Sequence, residues 1–147
     1  MIAIDSDLLA IFHIFKKDPR FQITRQFFAK LTDHPKAVTI FNLLELCGII
    51  STATGREDAS KIFQEYTFSR DVIILFPNLQ AKDEDDFWAT LVSECFSRIQ
   101  KGMRLGDAVI LWTLETNEKI DSFITWNAKH FRDKTSIRVL TPSEFLE

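Results

Sequence analysis

Glycine and proline are scarce in this 147-residue chain, with four of each. Long flexible linkers are therefore excluded, and Gly48, Gly55, Gly102 and Gly106 lie too far apart to form a glycine-rich phosphate cradle. The two cysteines, Cys47 and Cys95, cannot build a disulfide framework. Their apolar surroundings predict buried free thiols, which suit a reducing compartment. No apolar run exceeds five residues, whereas a membrane helix needs about 20. The N-terminus, Met1-Ile2-Ala3-Ile4-Asp5, lacks the basic stretch and long apolar segment of a signal peptide. The expectation is a soluble cytoplasmic protein with no membrane partner. Charge of one sign is also lacking: 18 Lys and Arg against 21 Asp and Glu leave a net charge of −3. Nucleic acid would then be held only through a local patch. What the chain does have is 46% hydrophobic and 27% charged residues. A globular chain of this length buries about two-thirds of its surface, so a single domain over residues 1–147 is expected.

The apolar pattern alternates between short continuous runs and helical spacing. Met1–Ile4, Ala37–Ile40, Val72–Phe76, Ser122–Thr125 and Ile137–Leu140 read as strands. Leu8, Leu9, Ile11, Phe12 and Phe15 are spaced as a helix that Asp18-Pro19 ends, and Phe21 to Leu31 forms a second. Further helices are predicted over Phe41–Thr52, Glu57–Phe68, Asp83–Ile99 and Leu105–Glu115, with Pro142 opening a last one. The acidic start Asp83-Glu84-Asp85-Asp86 suits the positive end of a helix dipole, and Arg98, Lys101 and Gly102 suit the other end. Uniformly apolar strands alternating with helices predict an α/β fold: three layers, α/β/α, around a parallel sheet of four to five strands covered on both faces.

The informative polar residues are carboxylates in apolar surroundings. Asp5 closes the first strand, and ligands of open parallel sheets gather beyond the carboxyl ends of strands. Asp5 and Asp7 also fit helix caps. Glu45 shares a helical face with Phe41, Leu44 and Gly48. A buried carboxylate there would cost several kcal/mol or stay protonated; a salt bridge or a solvent-facing position are the alternatives. Asp107 opens an apolar helix after Gly106, where the helix dipole alone favours an acid. Taken together, Asp5, Glu45 and Asp107 each lie at the end of a strand or the start of a helix. Carboxylates about 5 Å apart repel by about 3 kcal/mol per pair at an effective dielectric near 20. A cation among them would relieve that repulsion, and oxygen ligands without His or Cys favour Mg2+ or Mn2+ over zinc. His13, His34 and His130 have no metal-ligand spacing, and the 14 phenylalanines fall at core spacing, suiting core or dimer interface.

Four segments in register resemble PIN domains, specifically the small VapC-type ribonuclease toxins. Ile4-Asp5-Ser6-Asp7-Leu8-Leu9 matches the opening strand and first acid, and Leu44-Glu45-Leu46 the helix with the second. Leu105-Gly106-Asp107-Ala108-Val109-Ile110 matches the third acid's helix, and Phe123-Ile124-Thr125-Trp126-Asn127 through Phe131 the last motif. The resemblance implies metal-assisted hydrolysis of RNA phosphodiesters. Asp5, Glu45 and Asp107 would hold Mg2+ or Mn2+, Asn127 would assist, and Ser6, Asp7 and Thr125 would support. It further implies an RNA substrate, a cognate antitoxin and a homodimer through apolar helices near the N-terminal half. It also brings His130 near the site. Lys16, Lys17, Arg20, Arg104, Lys129 and Arg132 are candidate phosphate contacts, against solvated surface charge as the ordinary role.

The chain departs from the family pattern in several places. Asp7 stands where Asn is usual, Asn127 where many members have a fourth acid, and bulky Leu111 and Trp112 where small residues are common. These departures motivate a PIN-like module with weakened catalysis that only binds RNA. Asp5-Ser6-Asp7 also fits the paired aspartates of a phosphatase resembling the haloacid dehalogenases, although the companion acid and lysine are not evident.

Overall fold

A computed structural model describes residues 1–147. The elements run β1 (Ile2–Ile4), α1 (Ser6–His13), α2 (Phe21–Lys30), β2 (Lys36–Thr39), α3 (Ile40–Ala53), α4 (Arg56–Thr67), β3 (Val72–Leu75), α5 (Glu84–Gln100), α6 (Leu105–Glu115), β4 (Ser122–Ile124), β5 (Arg138–Leu140) and α7 (Pro142–Leu146). A single 3-10 turn, Ala128–His130, separates β4 from β5. The five strands form one sheet in the order β3-β2-β1-β4-β5, every neighbouring pair parallel.

Period-2 alternation divides the core into two clusters. Ile2 and Ile4 of β1, Val38 of β2 and Ile124 of β4 meet Leu8 and Leu9 of α1, Phe27 of α2 and Leu43 and Leu46 of α3. On the other face, Ala3, Ala37, Phe123 and Val139 meet Ala108, Ile110, Leu111 and Leu114 of α6. Small Ala3 and Ala37 let α6 lie close to the central strands, and bulky Leu111 fills the space without exposure. The sheet order reverses direction at β1, so the carboxyl ends of β1, β2 and β4 open toward one crevice.

The local stops have identifiable causes. α1 ends at His13, two residues before Phe15, because the amides of Ile14 and Phe15 both donate to the carbonyl of Ala10. Asp83 caps α5 by accepting from the Asp86 amide at 2.8 Å. Gly102 follows α5 with φ +85°, a left-handed conformation that L side chains rarely adopt. Thr141 and Glu144 form a reciprocal capping box on α7.

Several expectations are corrected. β3 is not covered on both faces: it is an edge strand, with Ile73 half exposed and Phe76 beyond it 61% exposed. Cys95 is a buried free thiol, but Cys47 is only half-buried, its thiol facing the Ala59 carbonyl at 3.7 Å. α5 buries only Cys95 and leaves Trp88, Val92, Phe96 and Ile99 as an exposed apolar stripe. With Phe41, Leu105 and Val109, part of that stripe lines an open groove of about 580 Å3 with Glu45 at its rim. Several phenylalanines, Phe68 and Phe96 among them, are therefore outside the core. No helix is long and apolar enough to cross a membrane.

Candidate active site

β1 carries Asp5 out of the sheet, and the same residue caps α1: its Oδ1 accepts from the Ser6 amide at 2.8 Å. Capping and site placement, alternatives in the sequence, coexist in one side chain. Oδ1 also faces the Ser6 hydroxyl at 3.2 Å and accepts from the Asn42 side-chain amide at 2.9 Å. None of these bonds uses Oδ2. Asn42 is fully buried, and its carbonyl accepts from the Thr39 hydroxyl at 2.7 Å. Thr39 ends β2 and caps α3 by accepting from the Asn42 amide. Thr39 and Asn42 thus form a buried clamp on Asp5.

Sequence reasoning missed Asn42. The available signal was a polar residue one turn before Glu45 inside a strongly apolar helix, three residues after a cap-forming Thr.

Ser6 links two of the expected acids. Its hydroxyl lies 2.5 Å from Oε2 of Glu45 as well as beside Asp5. Glu45 itself is exposed at the open edge of α3 rather than buried among Phe41 and Leu44. Asp107 sits in the first turn of α6, half-buried, and burial raises its pKa. The Glu45 charge adds to the rise, while the charges of His130, Arg104 and Lys134 oppose it. Asp107 therefore faces the same region as Glu45, with His130 nearby. Gly106 is not needed for a close approach, since a Cβ there would meet nothing within 4 Å.

Asp7 is not a helix cap: Asp5 caps α1, and Asp7 lies within its first turn. Its Oδ2 accepts from the Trp126 amide at 3.0 Å and from the Thr125 hydroxyl and the Asn127 side-chain amide, each at 3.3 Å. It thereby fastens the loop after β4 to the start of α1. Thr125 is fully buried, and its hydroxyl also accepts from the Asn127 amide at 3.0 Å. Oδ1 of Asp7 is buried with no partner.

The electrostatics follow from this burial. Burial pushes the Asp5 carboxyl up to about 6, opposed by hydrogen bonds from Thr125 and Ser6 and reinforced by the Glu45 charge. Burial, then the Asp5 charge, pushes Asp7 up to about 8. The two acids titrate as a pair, and near neutrality Asp7 holds the proton. Oδ1 is where that proton belongs, because Oδ2 already accepts three donors. A neutral Asp7 then has the hydrogen-bonding pattern of the Asn that the family usually carries there.

The structure thus brings together Asp5, Ser6, Glu45, Asp7, Thr125 and Asn127 by hydrogen bonds and faces Asp107 toward them through space. As the side chains lie, no three His, Cys, Asp or Glu residues converge on one point as a metal site would require. The donor set still suits a hard cation: oxygen ligands only, with Asp5 and Asp7 bonded to neutral donors and paired with no cationic side chain.

No family model and no curated protein sequence matches the chain. Solved structures do. VapC20 of Mycobacterium tuberculosis, described as a sarcin–ricin loop-cleaving toxin, superposes with a TM-score of 0.65 at 13% identity, over 94% of this chain and 99% of that one. The chain has the PIN-domain, VapC-like fold. VapBC2 of Rickettsia felis, solved on a promoter DNA fragment, matches at 0.62 and 16% identity, over 96% of this chain and 98% of that one. FitAcB of Neisseria gonorrhoeae matches at 0.61 and 12% identity, over 97% and 99%. At such identities the VapC-like likeness is one of fold.

Proposed function

We propose that this protein is a metal-dependent endoribonuclease acting as the toxin of a toxin–antitoxin pair. The observation that carries the reading is the clamped Asp5. One carboxylate oxygen is saturated by Ser6 and Asn42, Ser6 ties in Glu45 at the same strand end, and the Glu45 charge in turn reaches Asp107. Asp5, Glu45 and Asp107 would hold Mg2+ or Mn2+, with side-chain rotation of the exposed Glu45 closing the set. Such a cation acidifies water and neutralises phosphoryl oxygens. Ser6 keeps Asp5 and Glu45 in register, and Asp7 and Thr125 hold Asn127 at the rim, with its amide oxygen left for a substrate donor. Cleavage of an RNA pool in Mg2+ or Mn2+, abolished by EDTA and by Asp5→Asn, is the expected result. Cleavage that survives both overturns the reading.

The partners belong to the same proposal. The structural neighbours include toxin–antitoxin complexes, which supports a cognate antitoxin. A second copy would cover the apolar stripe of α5. That stripe lies in the second half of the chain; in the N-terminal half α1 and α2 pack their apolar faces inward, while Leu44 of α3 and Phe63 of α4 are also exposed. Light scattering on the wild type and on Phe96→Glu tests this: a dimer that becomes a monomer supports it, and a wild-type monomer overturns it.

Two observations favour a second reading, an RNA-binding module without turnover: the acids do not converge as they lie, and Asn127 is neutral. RNA binding without cleavage by folded, antitoxin-free protein would decide for it.

A further inference from the structure

Arg20 has a more constrained setting than its exposed loop suggests. Its Nε and Nη2 donate to the two oxygens of Asp18 at 2.9 and 2.8 Å, a bidentate clamp, and its backbone amide also donates to Asp18 at 2.8 Å. The guanidinium carbon lies 5.8 Å from the centre of the Trp126 ring, within the range of a cation–π contact. Trp126 is pinned at both ends, its backbone amide on Asp7 and its indole N–H on the Thr24 hydroxyl at 3.1 Å. It also sits between Thr125 and Asn127, the two residues that Asp7 fastens to the site. The position of the Arg20 charge relative to the acids is therefore fixed.

A guanidinium carries five N–H donors, and the clamp uses two of them. Three remain, on a side chain 46% exposed. An exposed ion pair contributes little stability by itself, so the arrangement is better explained by what the clamped cation faces. Lys16 and Lys17 extend the positive charge along the same loop. Arg104 and Lys134 supply positive charge near Asp107. A polyanion crossing the acids would meet those cations as well as Arg20.

We propose that Arg20, held over Trp126 by Asp18, binds an RNA phosphate neighbouring the one placed at the acids. This rests on the nuclease reading for its substrate class and names the residue that registers the strand. Arg20 is then a substrate-binding residue, with Asp18 and Trp126 as positioning residues.

The test reads binding separately from cleavage. A fluorescein-labelled single-stranded RNA pool of mixed sequence is titrated, in EDTA, with the full-length chain carrying Asp5→Asn, and the affinity is followed over a salt series. Each phosphate contact to single-stranded nucleic acid contributes about 0.7 to the slope of log K against log salt. Arg20→Gln should shallow the slope by about that amount and weaken binding several-fold, with the melting temperature showing that the variant is folded. Arg20→Lys, which keeps the charge without the clamp, should restore the slope. Asp18→Asn should leave the slope intact and lower cleavage of the pool by the otherwise wild-type protein. An unchanged slope in Arg20→Gln overturns the proposal, as does absence of any binding to the pool. Failure of the wild type to cleave overturns the nuclease reading instead and leaves the slope result standing.

Discussion

The acids of the candidate site fall into an inner and an outer half. In the inner half, Asp5 is buried and Asp7 half-buried with one oxygen fully covered, each is tied to at least two other residues, and both are pushed toward their neutral forms. In the outer half, Glu45 is exposed with one hydroxyl partner, and Asp107 is half-buried with no hydrogen bond to the others. The contrast teaches that this site is organised by the strand ends. The inner half sets geometry before any ligand arrives, and the outer half retains the freedom to close on one.

That division can be broken most forcefully from outside. Asp107→Asn should reduce RNA cleavage by at least about 100-fold, as expected on losing a ligand group of a metal-assisted site. It should leave stability nearly unchanged or slightly higher, because burial already disfavours the charged form of Asp107. Side-by-side urea melts and initial rates check both halves of that statement. An inner substitution should do the reverse in proportion. Asn42→Ala strands the Thr39 hydroxyl and removes a donor from Asp5, at a cost of about 2 kcal/mol, measured as a lower urea midpoint with unchanged slope.

The pH dependence sharpens the comparison further. Asp5 and Asp7 have folded pKa values raised above their ordinary 3.8. The folded chain therefore binds more protons than the unfolded one between about pH 4 and pH 8, and stability falls as pH rises through that window. The loss is up to about 1.4 kcal/mol per pH unit for each group so affected. In EDTA the melting temperature should drop from pH 5 to pH 8, and Asp7→Asn should flatten the curve; a stability that climbs across this range would sink the assignment of Asp7 as neutral. The smallest effect is expected at the joint between the halves. Ser6→Ala removes the hydroxyl between Asp5 and Glu45 and should cost about 1 kcal/mol, with a higher Mn2+ concentration needed for half-maximal cleavage.

Much of the fold was legible because its signals are local. Uniformly apolar strands and helical spacing mark all five strands and most helices within a residue or two, and capping residues such as Asp83 and Thr141 sit where the boundaries fall. The edge position of β3 was not legible. Val72–Phe76 reads as a buried strand, and only the sheet order reveals that Ile73 and Phe76 face outward. The exposure of the α5 stripe was likewise not legible, because hydrophobic spacing is the same whether a helix packs on its own domain or leaves that face open.

The site divides in the same way. The order of Asp5, Glu45, Asp107 and Asn127 along the chain, and their places at strand ends and helix starts, are properties of the sequence by itself. Local hydrophobic periodicity sets where elements begin and end, and carboxylates at those ends stand out against apolar neighbours. Tertiary structure alone decided that Asn42 holds Asp5 across 37 residues of chain. It also decided that Asp7 turns to the loop around Asn127 rather than to solvent, and that Arg20 lies on Trp126. Hydrogen-bond partners and charge environments are set by which strands become neighbours, and pairing between distant segments leaves no periodic trace in either one.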